Sequence, residues 1–424
     1  MQSRSFLNRF PWQTWVKPWK RMDSMLFGLG IFLTFMGGIM IRSTQLGGGW
    51  TNWAQHWVTG LVGIGLLLAI ARWPYRNMLR WHWVIYGLTN ISLLLVAIIG
   101  TSELGAQRWI SIGGFNLQPS EFAKVGVIIS LAAVLHKKHA GKLIDILKAL
   151  GVIALPWVLV LGQPDLGTSL VFGAITIGML YWAKAKLGWI ILALSPLFSV
   201  ILSNIPIDEP NNFITYGCWG AFLAIIAALS FRKRIQAVLI AIAVNLGAGA
   251  LGQQAWGLLK DYQRDRIILF LEPEKDPLGG GYHLIQSRIA IGSGGLFGQG
   301  LNQGNQTTLQ FIPEQHTDFI FSAIGEQLGL IGCLIMLLAY WLICWRLIVI
   351  ARTSSDDFGS LMCVGFLAMI IFQVFVNISM TIGLAPVTGI PLPWLSYGRS
   401  ALLTNFIALG IAESVANFRQ VRRF

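Results

Sequence analysis

Apolar runs of about twenty residues recur along this chain, and they constrain its fold more than any other feature. A run of that length spans the ~30 Å hydrocarbon core of a bilayer as an α-helix. The runs lie at 24–41, 53–71, 81–100, 119–135, 145–162, 166–183, 187–204, 213–230, 235–254, 319–345, 360–380 and 396–418. We therefore expect an all-α, polytopic integral membrane bundle of about 10–12 transmembrane helices. It forms a single membrane domain over 24–424, preceded by a basic segment at 1–23.

The positive charge of the chain is divided among short clusters between the apolar runs. The net charge is +13, but it forms no single patch of the kind that binds nucleic acid, and we predict no nucleic-acid partner. With twelve spans every cluster lies on the same side, which is the pattern of positive-inside topology. The sequence thus predicts a multi-pass protein of the cytoplasmic (inner) membrane with both termini in the cytoplasm.

The largest outer connection, at about 253–317, is long for a compact membrane protein, and such loops are usually functional or disordered. It has amphipathic stretches and glycine clusters, so we expect a folded extracytoplasmic loop. The pattern Gly292-Ser293-Gly294-Gly295-Leu296-Phe297-Gly298 lacks the GK[ST] ending of a phosphate-binding loop. Its glycines are predicted to provide turns and close backbone approach.

The segment Gln118-Pro119-Ser120-Glu121-Phe122-Ala123-Lys124 has the features of a helix N-terminus. Glu121 and Lys124 share one helical face and form either a simple ion pair or part of a substrate site. Together with Arg108, Lys124 could create an anion site suited to phosphate or pyrophosphate. Asp165 lies at the start of the sixth apolar run, where it is either a helix-start residue or a further binding residue.

The stretch from His316 to Phe321 places a carboxylate, Asp318, where a polar loop becomes an apolar helix. Charges at such boundaries are functional candidates, although Asp also suits a helix N-cap. Glu326 is predicted to lie on the same helical face, roughly 12 Å deeper, with Lys124 or Arg399 as its cationic partner. The histidines lack metal-ligand spacing, and His316 alone lies close to Asp318, where it is a candidate substrate-binding residue. A divalent ion bridged by substrate stays open.

Taken together, these motifs resemble the SEDS family (shape, elongation, division and sporulation) of bacterial peptidoglycan glycosyltransferases. The matching segments are GAQRWISIGGFNLQPSEFAK at 105–124, QPDLGTS at 163–169, DRIILFLEPEKDPLGGGYHLIQSRIAIGSGGLFGQG at 265–300, FIPEQHTDFIFSAIGEQLGLIG at 311–332 and GIPLPWLSYGRSALL at 389–403. They cover about a quarter of the chain in the family's order. The stretch around 281–300 is more similar to RodA-like than to FtsW-like members, which favours a role in cell elongation over division.

The resemblance implies polymerisation of lipid II into β-1,4 glycan strands at the outer membrane face, with release of undecaprenyl pyrophosphate. It implies that Asp318 is the catalytic carboxylate and that Arg108, Glu121 and Lys124 line the outer cavity. It implies no cofactor beyond the divalent cation that a substrate could bridge. The implied partners are a class B penicillin-binding protein, the elongation machinery and membrane lipids. A lipid II flippase, a non-enzymatic scaffold and a division polymerase are the alternatives.

The chain departs from the family pattern in three places. Gln310 stands where a Glu usually lies eight residues before the catalytic Asp, and SYGRS replaces SYGGS, which introduces Arg399. The family usually has ten spans, whereas twelve apolar runs are present here. The additional pair is expected within 187–254.

Overall fold

The computed structural model describes residues 21–45, 52–103, 106–113, 115–137, 143–203, 211–231, 233–258 and 281–419, together with positions 19 and 270. The basic N-terminal segment and the middle of the long outer loop therefore lie mostly outside the described residues. In the first half of the chain the elements are α1 (Ser24–Ser43), α2 (Asn52–Arg72), α3 (Arg76–Ile99), β1 (Thr101–Glu103), β2 (Ala106–Ile112), β3 (Phe115–Leu117), α4 (Pro119–Leu135), α5 (Leu143–Gly162) and α6 (Leu166–Trp182).

In the second half they are α7 (Leu187–Leu202), α8 (Asn211–Ser230), α9 (Arg234–Leu258), α10 (Tyr282–Ser293), α11 (Asn305–Thr308), α12 (Ile320–Thr353), α13 (Asp357–Thr381) and α14 (Arg399–Asn417). Within the described residues, a helix occurs at each of the twelve predicted apolar runs. Seven of the helices are long and apolar enough to cross a membrane by length and composition. The polytopic all-α class is confirmed.

A small antiparallel sheet lies between α3 and α4, where the sequence indicated only an outer connection. Its strand order is β1-β2-β3, and β2 pairs with both neighbours. Gly113 has φ 57° at the β2–β3 turn, a conformation that glycine adopts without strain. The sheet places β2 against α4, so that Arg108 lines the same cavity as Glu121 and Lys124.

Two contacts between α1 and α12 are separated by about the thickness of a bilayer. At one end, Arg346 on α12 donates to Asp23 at the start of α1 (Nε–Oδ2 2.8 Å). At the other end, Ser43 donates to the side chain of Gln327. About twenty residues separate these contacts on each helix, and at 1.5 Å per residue this is roughly 30 Å, one hydrocarbon thickness. Asp318 precedes Gln327 by nine residues, so it lies at or beyond the membrane boundary.

Helix α12 is broken at Gly329, whose φ of 65° interrupts the helical hydrogen bonds. The carbonyl groups of Glu326 and Gln327 accept instead from the backbone N–H groups of Gln299 (2.9 Å) and Gly300 (3.1 Å). The polar backbone freed by the break is thus satisfied by the long loop, as burial requires. The loop and the broken helix form one folded unit.

Glycines allow this close approach of loop and helix. A Cβ atom at Gly294 would lie 1.9 Å from the carbonyl oxygen of Gly325, and one at Gly298 would lie 2.1 Å from that of Gln327. Both positions belong to the glycine-rich pattern of the sequence. The prediction that these glycines serve backbone approach is confirmed.

Candidate active site

A cavity of about 410 Å³ opens at the end of the bundle where β2, the first turns of α4 and α6, and the loops before α12 and α14 meet. It brings together seven of the eight predicted site residues. They are Arg108, Glu121, Lys124, Asp165, His316, Asp318 and Arg399. These residues come from five separate stretches of the chain, so the fold is what assembles them.

Glu121 and Lys124 form an ion pair in the wall of the cavity. The ammonium lies 2.7 Å from Glu121 Oε2, and the two residues are only 4 % and 1 % exposed. Pro119 begins α4 and places both side chains in its first two turns. The structural alternative raised from the sequence, an intrahelical ion pair, is therefore present, and the pair also lines the cavity. Because both side chains are buried, loss of either one would leave the other charge buried without its counter-ion.

Asp165 is the N-cap of α6, and its carboxylate accepts from the backbone N–H of Thr168 (3.1 Å). It also accepts from the Thr168 hydroxyl (2.9 Å) and from the Gln118 amide (3.2 Å). The helix-start interpretation is confirmed, while the same side chain lines the cavity. Asp165 thereby joins the start of α4 to the start of α6.

Arg108 extends from β2 to the turn between α5 and α6. Its guanidinium donates to the carbonyl oxygens of Gln163 and Pro164. The guanidinium is half-buried and lines the cavity close to the Asp165 turn. Five N–H donors in a planar fork allow it to hold these carbonyls and still contact an anion.

Asp318 lies two residues before α12, whose N-cap is Phe319. It therefore does not occupy the helix N-cap position considered from the sequence. Its backbone carbonyl accepts from the Asn377 amide on α13 (2.8 Å), and the same amide donates to the carbonyl of Ile390 (2.7 Å). A Cβ atom at Gly389 would lie 3.3 Å from Asp318 Oδ2. Asp318 is half-buried, and its backbone is thus held between α13 and the loop before α14.

His316 connects the loops before α12 and α14. Its carbonyl accepts from the backbone N–H of Tyr397 (2.9 Å), and the two side-chain rings lie 5.7 Å apart. Burial lowers the pKa of His316 below its usual value, and the nearby Glu314 carboxylate opposes that shift. Tyr397 in turn donates to Gln55 on α2 (2.7 Å). These contacts tie the cavity rim to the bundle.

Glu326 does not belong to the cavity, and the prediction that it would is wrong. Its carboxylate accepts from the backbone N–H groups of Gln306 (2.7 Å) and Thr307 (2.9 Å) and from the Thr307 hydroxyl. Of the two cations considered for it, Lys124 pairs with Glu121 and Arg399 lines the cavity. The sequence analysis assumed that Glu326 faces the same cavity as Asp318 because the two share one helical face. In the structure the long loop covers that face at Glu326.

Sequence reasoning missed a further carboxylate in the cavity, Glu314. Its backbone has φ 50°, which turns the chain just before His316. Gln310, the departure from the family pattern, is exposed and is not among the cavity residues. The available signal was the acidic residue four positions before Asp318, which was not weighed.

Metal coordination by the protein alone finds no support among the described residues. They contain no group of three or more His, Cys, Asp or Glu side chains able to hold an ion. Glu314 and Asp318 are the carboxylates on the rim side of the cavity. A divalent cation there would need oxygen ligands from a bound substrate.

Comparison with known proteins identifies related chains over almost the whole length. The family model described as "Cell cycle protein" (FTSW_RODA_SPOVE) matches residues 21–209 and 209–421. The peptidoglycan glycosyltransferase MrdB of Escherichia coli K12 is 38% identical over 85% of this chain and 84% of its own. The peptidoglycan glycosyltransferase RodA of Treponema pallidum is 33% identical over 93% of this chain and 96% of its own.

Two solved structures share the fold. One comes from a study of structural coordination of polymerization and crosslinking by a peptidoglycan synthase complex. It is 26% identical, with a TM-score of 0.67, and the match covers 95% of this chain and 100% of that chain. The rod shape determining protein RodA of Thermus thermophilus is 21% identical, with a TM-score of 0.62, covering 95% of this chain and 98% of that one.

Proposed function

This chain belongs to the FtsW/RodA/SpoVE family of cell cycle proteins, and on that premise we propose that it is a peptidoglycan glycosyltransferase. The E. coli and T. pallidum relatives bear that name. The observation that carries the proposal is the cavity, where Asp318 and Glu314 occur together with Arg108, Lys124 and Arg399. Glycosyl transfer from a pyrophosphate donor needs both a base and an anion site.

The substrate we assign is lipid II. The terminal sugar of the growing glycan carries the undecaprenyl pyrophosphate leaving group, and the 4-hydroxyl of the incoming GlcNAc attacks its C1. The new O4–C1 bond forms as the bond from C1 to the pyrophosphate oxygen breaks, and the leaving group takes that electron pair. Attack from the opposite face inverts the α-linked donor to a β-1,4 product.

Asp318 acts as the general base and accepts the proton of the attacking hydroxyl. Its place at the membrane boundary suits a substrate whose sugar is in water and whose lipid tail stays in the bilayer. The Asn377 amide holds the backbone of Asp318 through its carbonyl (2.8 Å), and Gly389 leaves space beside the carboxylate, so little backbone reorganisation is needed during the reaction.

Arg108, Lys124 and Arg399 stabilise the pyrophosphate as its negative charge develops. Arg108→Ala removes one charge-assisted contact, worth about 1.5–3 kcal/mol, which corresponds to a loss of roughly ten- to a hundredfold in polymerisation. Arg352→Ala is the matched control, because that exposed side chain lies at the far end of α12. Equal losses in both variants would contradict the role of Arg108.

The test of the activity uses purified protein, lipid II and a gel that resolves glycan strands. Polymer formed without any added transferase is the expected result. Intact lipid II that crosses a vesicle bilayer without polymerising would support the flippase alternative instead. Chelating divalent cations in the same assay determines whether an ion bridged by the pyrophosphate takes part.

The proposed cellular setting is the cytoplasmic membrane during elongation, with both termini in the cytoplasm. Under this topology the basic connection at Lys233 faces the cytoplasm, and position 275 of the long loop faces outward. An impermeant thiol reagent applied to intact cells should label a cysteine at 275 and leave one at 233 unmodified. Labelling at 233 would contradict the twelve-span topology.

A class B penicillin-binding protein is the partner we propose, because polymerised strands must be cross-linked by a transpeptidase. The related structure whose study concerns coordinated polymerization and crosslinking supports this pairing. Co-purification in mild detergent, with a change in polymerisation rate on adding the transpeptidase, is the expected result. Failure of both would contradict the partnership.

A further inference from the structure

Helices α7, α8 and α9 form a separate group at the edge of the bundle. They pack on one another, and α7 contacts the rest of the described helices mainly through α6. Asp165 begins α6 in the cavity and Trp182 ends it, so about 25 Å of helix separates the cavity from the α6–α7 connection. The near end of this group therefore lies at the opposite membrane face from the candidate active site.

A groove of about 500 Å³ runs between α7 and α9. It extends from Lys233, just before α9, to Asn245 on that helix, with Leu192, Ile240 and Val244 in its walls. Twelve residues of helix are roughly 18 Å long, close to the ~15 Å depth of one leaflet. The groove has the length of an acyl chain that starts at the membrane surface.

The deep end of the groove is polar but already satisfied. The Asn245 amide donates to the Ser195 hydroxyl (2.9 Å) and accepts from that of Ser199 (2.7 Å). Trp219 on α8 also donates to Ser199 (2.8 Å). These groups bond to one another and need no ligand, so the groove suits hydrocarbon rather than a polar molecule.

The mouth of the groove is basic. Lys186 caps the N-terminus of α7 and Arg234 begins α9, so both helix N-termini add positive potential at this end. Trp189 in the first turn of α7 joins that helix to the end of α8, four residues before α9 begins, since its indole donates to the Ser230 carbonyl (3.3 Å). None of the residues of α7, α8 and α9 is acidic. Lys233 is exposed, and it takes part in none of the ion pairs found among the described residues.

We propose that this groove is a binding site for one anionic phospholipid of the adjoining leaflet. An acyl chain occupies the space between α7 and α9, and the phosphate with its anionic headgroup lies at Lys233. Basic pockets between transmembrane helices bind anionic lipids in this way. The site is independent of the proposed glycosyl transfer, because the cavity lies at the other membrane face.

The experiment is native mass spectrometry of the purified full chain, with phosphatidylglycerol and phosphatidylethanolamine of identical acyl chains at equal concentration. The wild-type protein should retain one phosphatidylglycerol preferentially. Lys233→Gln should lower the ratio of bound phosphatidylglycerol to phosphatidylethanolamine about fivefold, the effect of one basic side chain near an anionic surface. Arg352→Gln, which removes an exposed charge outside the groove, should leave the ratio unchanged.

A second variant fills the groove itself. Ala237→Trp places a large side chain in its wall and should abolish the tightly retained copy of either lipid, in protein that elutes as one monodisperse species. Equal retention of the two lipids by the wild type would overturn the proposal. So would equal effects of Lys233→Gln and Arg352→Gln, because a general charge effect would then explain the preference.

Discussion

The buried pair of Glu121 and Lys124 allows stability to be separated from function. At 2.7 Å and an effective dielectric constant of about 20, the gross attraction is roughly 6 kcal/mol, which desolvation largely offsets. Removing one partner leaves the other charge buried alone. Glu121→Leu and Lys124→Met should therefore each lower the free energy of unfolding by about 3–5 kcal/mol.

The double variant Glu121→Leu/Lys124→Met should recover most of that loss, because no unpaired charge remains. The assay is equilibrium unfolding in mixed micelles, analysed as a double-mutant cycle. If Lys124 binds the pyrophosphate, the stable double variant still polymerises lipid II poorly. Single variants that each cost under ~1 kcal/mol, with no coupling between them, would refute the reasoning that burial controls this pair.

Three further perturbations test the site and the loop. Gly389→Ala should lower polymerisation at least tenfold, because Gly389 has φ 72° and the new Cβ would contact the Asp318 carboxylate. Gly113→Ala is the matched control for backbone strain, because Gly113 has φ 57° and open space around it, and this variant should keep its activity. Burial lowers the pKa of His316, so the folded state loses stability as the pH falls below about 6.5, and His316→Gln should make the melting temperature less sensitive to acid. Glu326→Ala should cost about 2–4 kcal/mol of unfolding free energy, because it leaves two backbone donors without their acceptor; wild-type stability would contradict the contacts of the loop.

The transmembrane helices were predictable because hydrophobic length determines them. Helix α4 was predicted at 119–135 and observed as Pro119–Leu135, since proline defines its first turn. Helix α12 was predicted to end near 345 but continues to Thr353. Arg346 ends the apolar run there without ending the helix, because its charge is paired with Asp23.

The site was only partly predictable, because its polar loops have no periodic pattern. Glu314 reaches the cavity through a residue with φ 50°, which no hydrophobic period indicates. Glu326 was misplaced because its partner, Thr307, comes from a loop whose path depends on the break at Gly329. The sheet that carries Arg108 was missed since its strands are short. Long-range contacts of this kind are set by packing rather than by local sequence.

The role of Asp318 as the general base is the central claim, and Asp318→Asn tests it most directly. The substitution keeps the size of the side chain and removes its basicity. Purified Asp318→Asn protein should polymerise lipid II about 10²–10⁴ times more slowly than the wild type, while Asp357→Asn, an exposed change outside the cavity, should retain full activity. Polymer formation at the wild-type rate by well-folded Asp318→Asn protein would contradict the account.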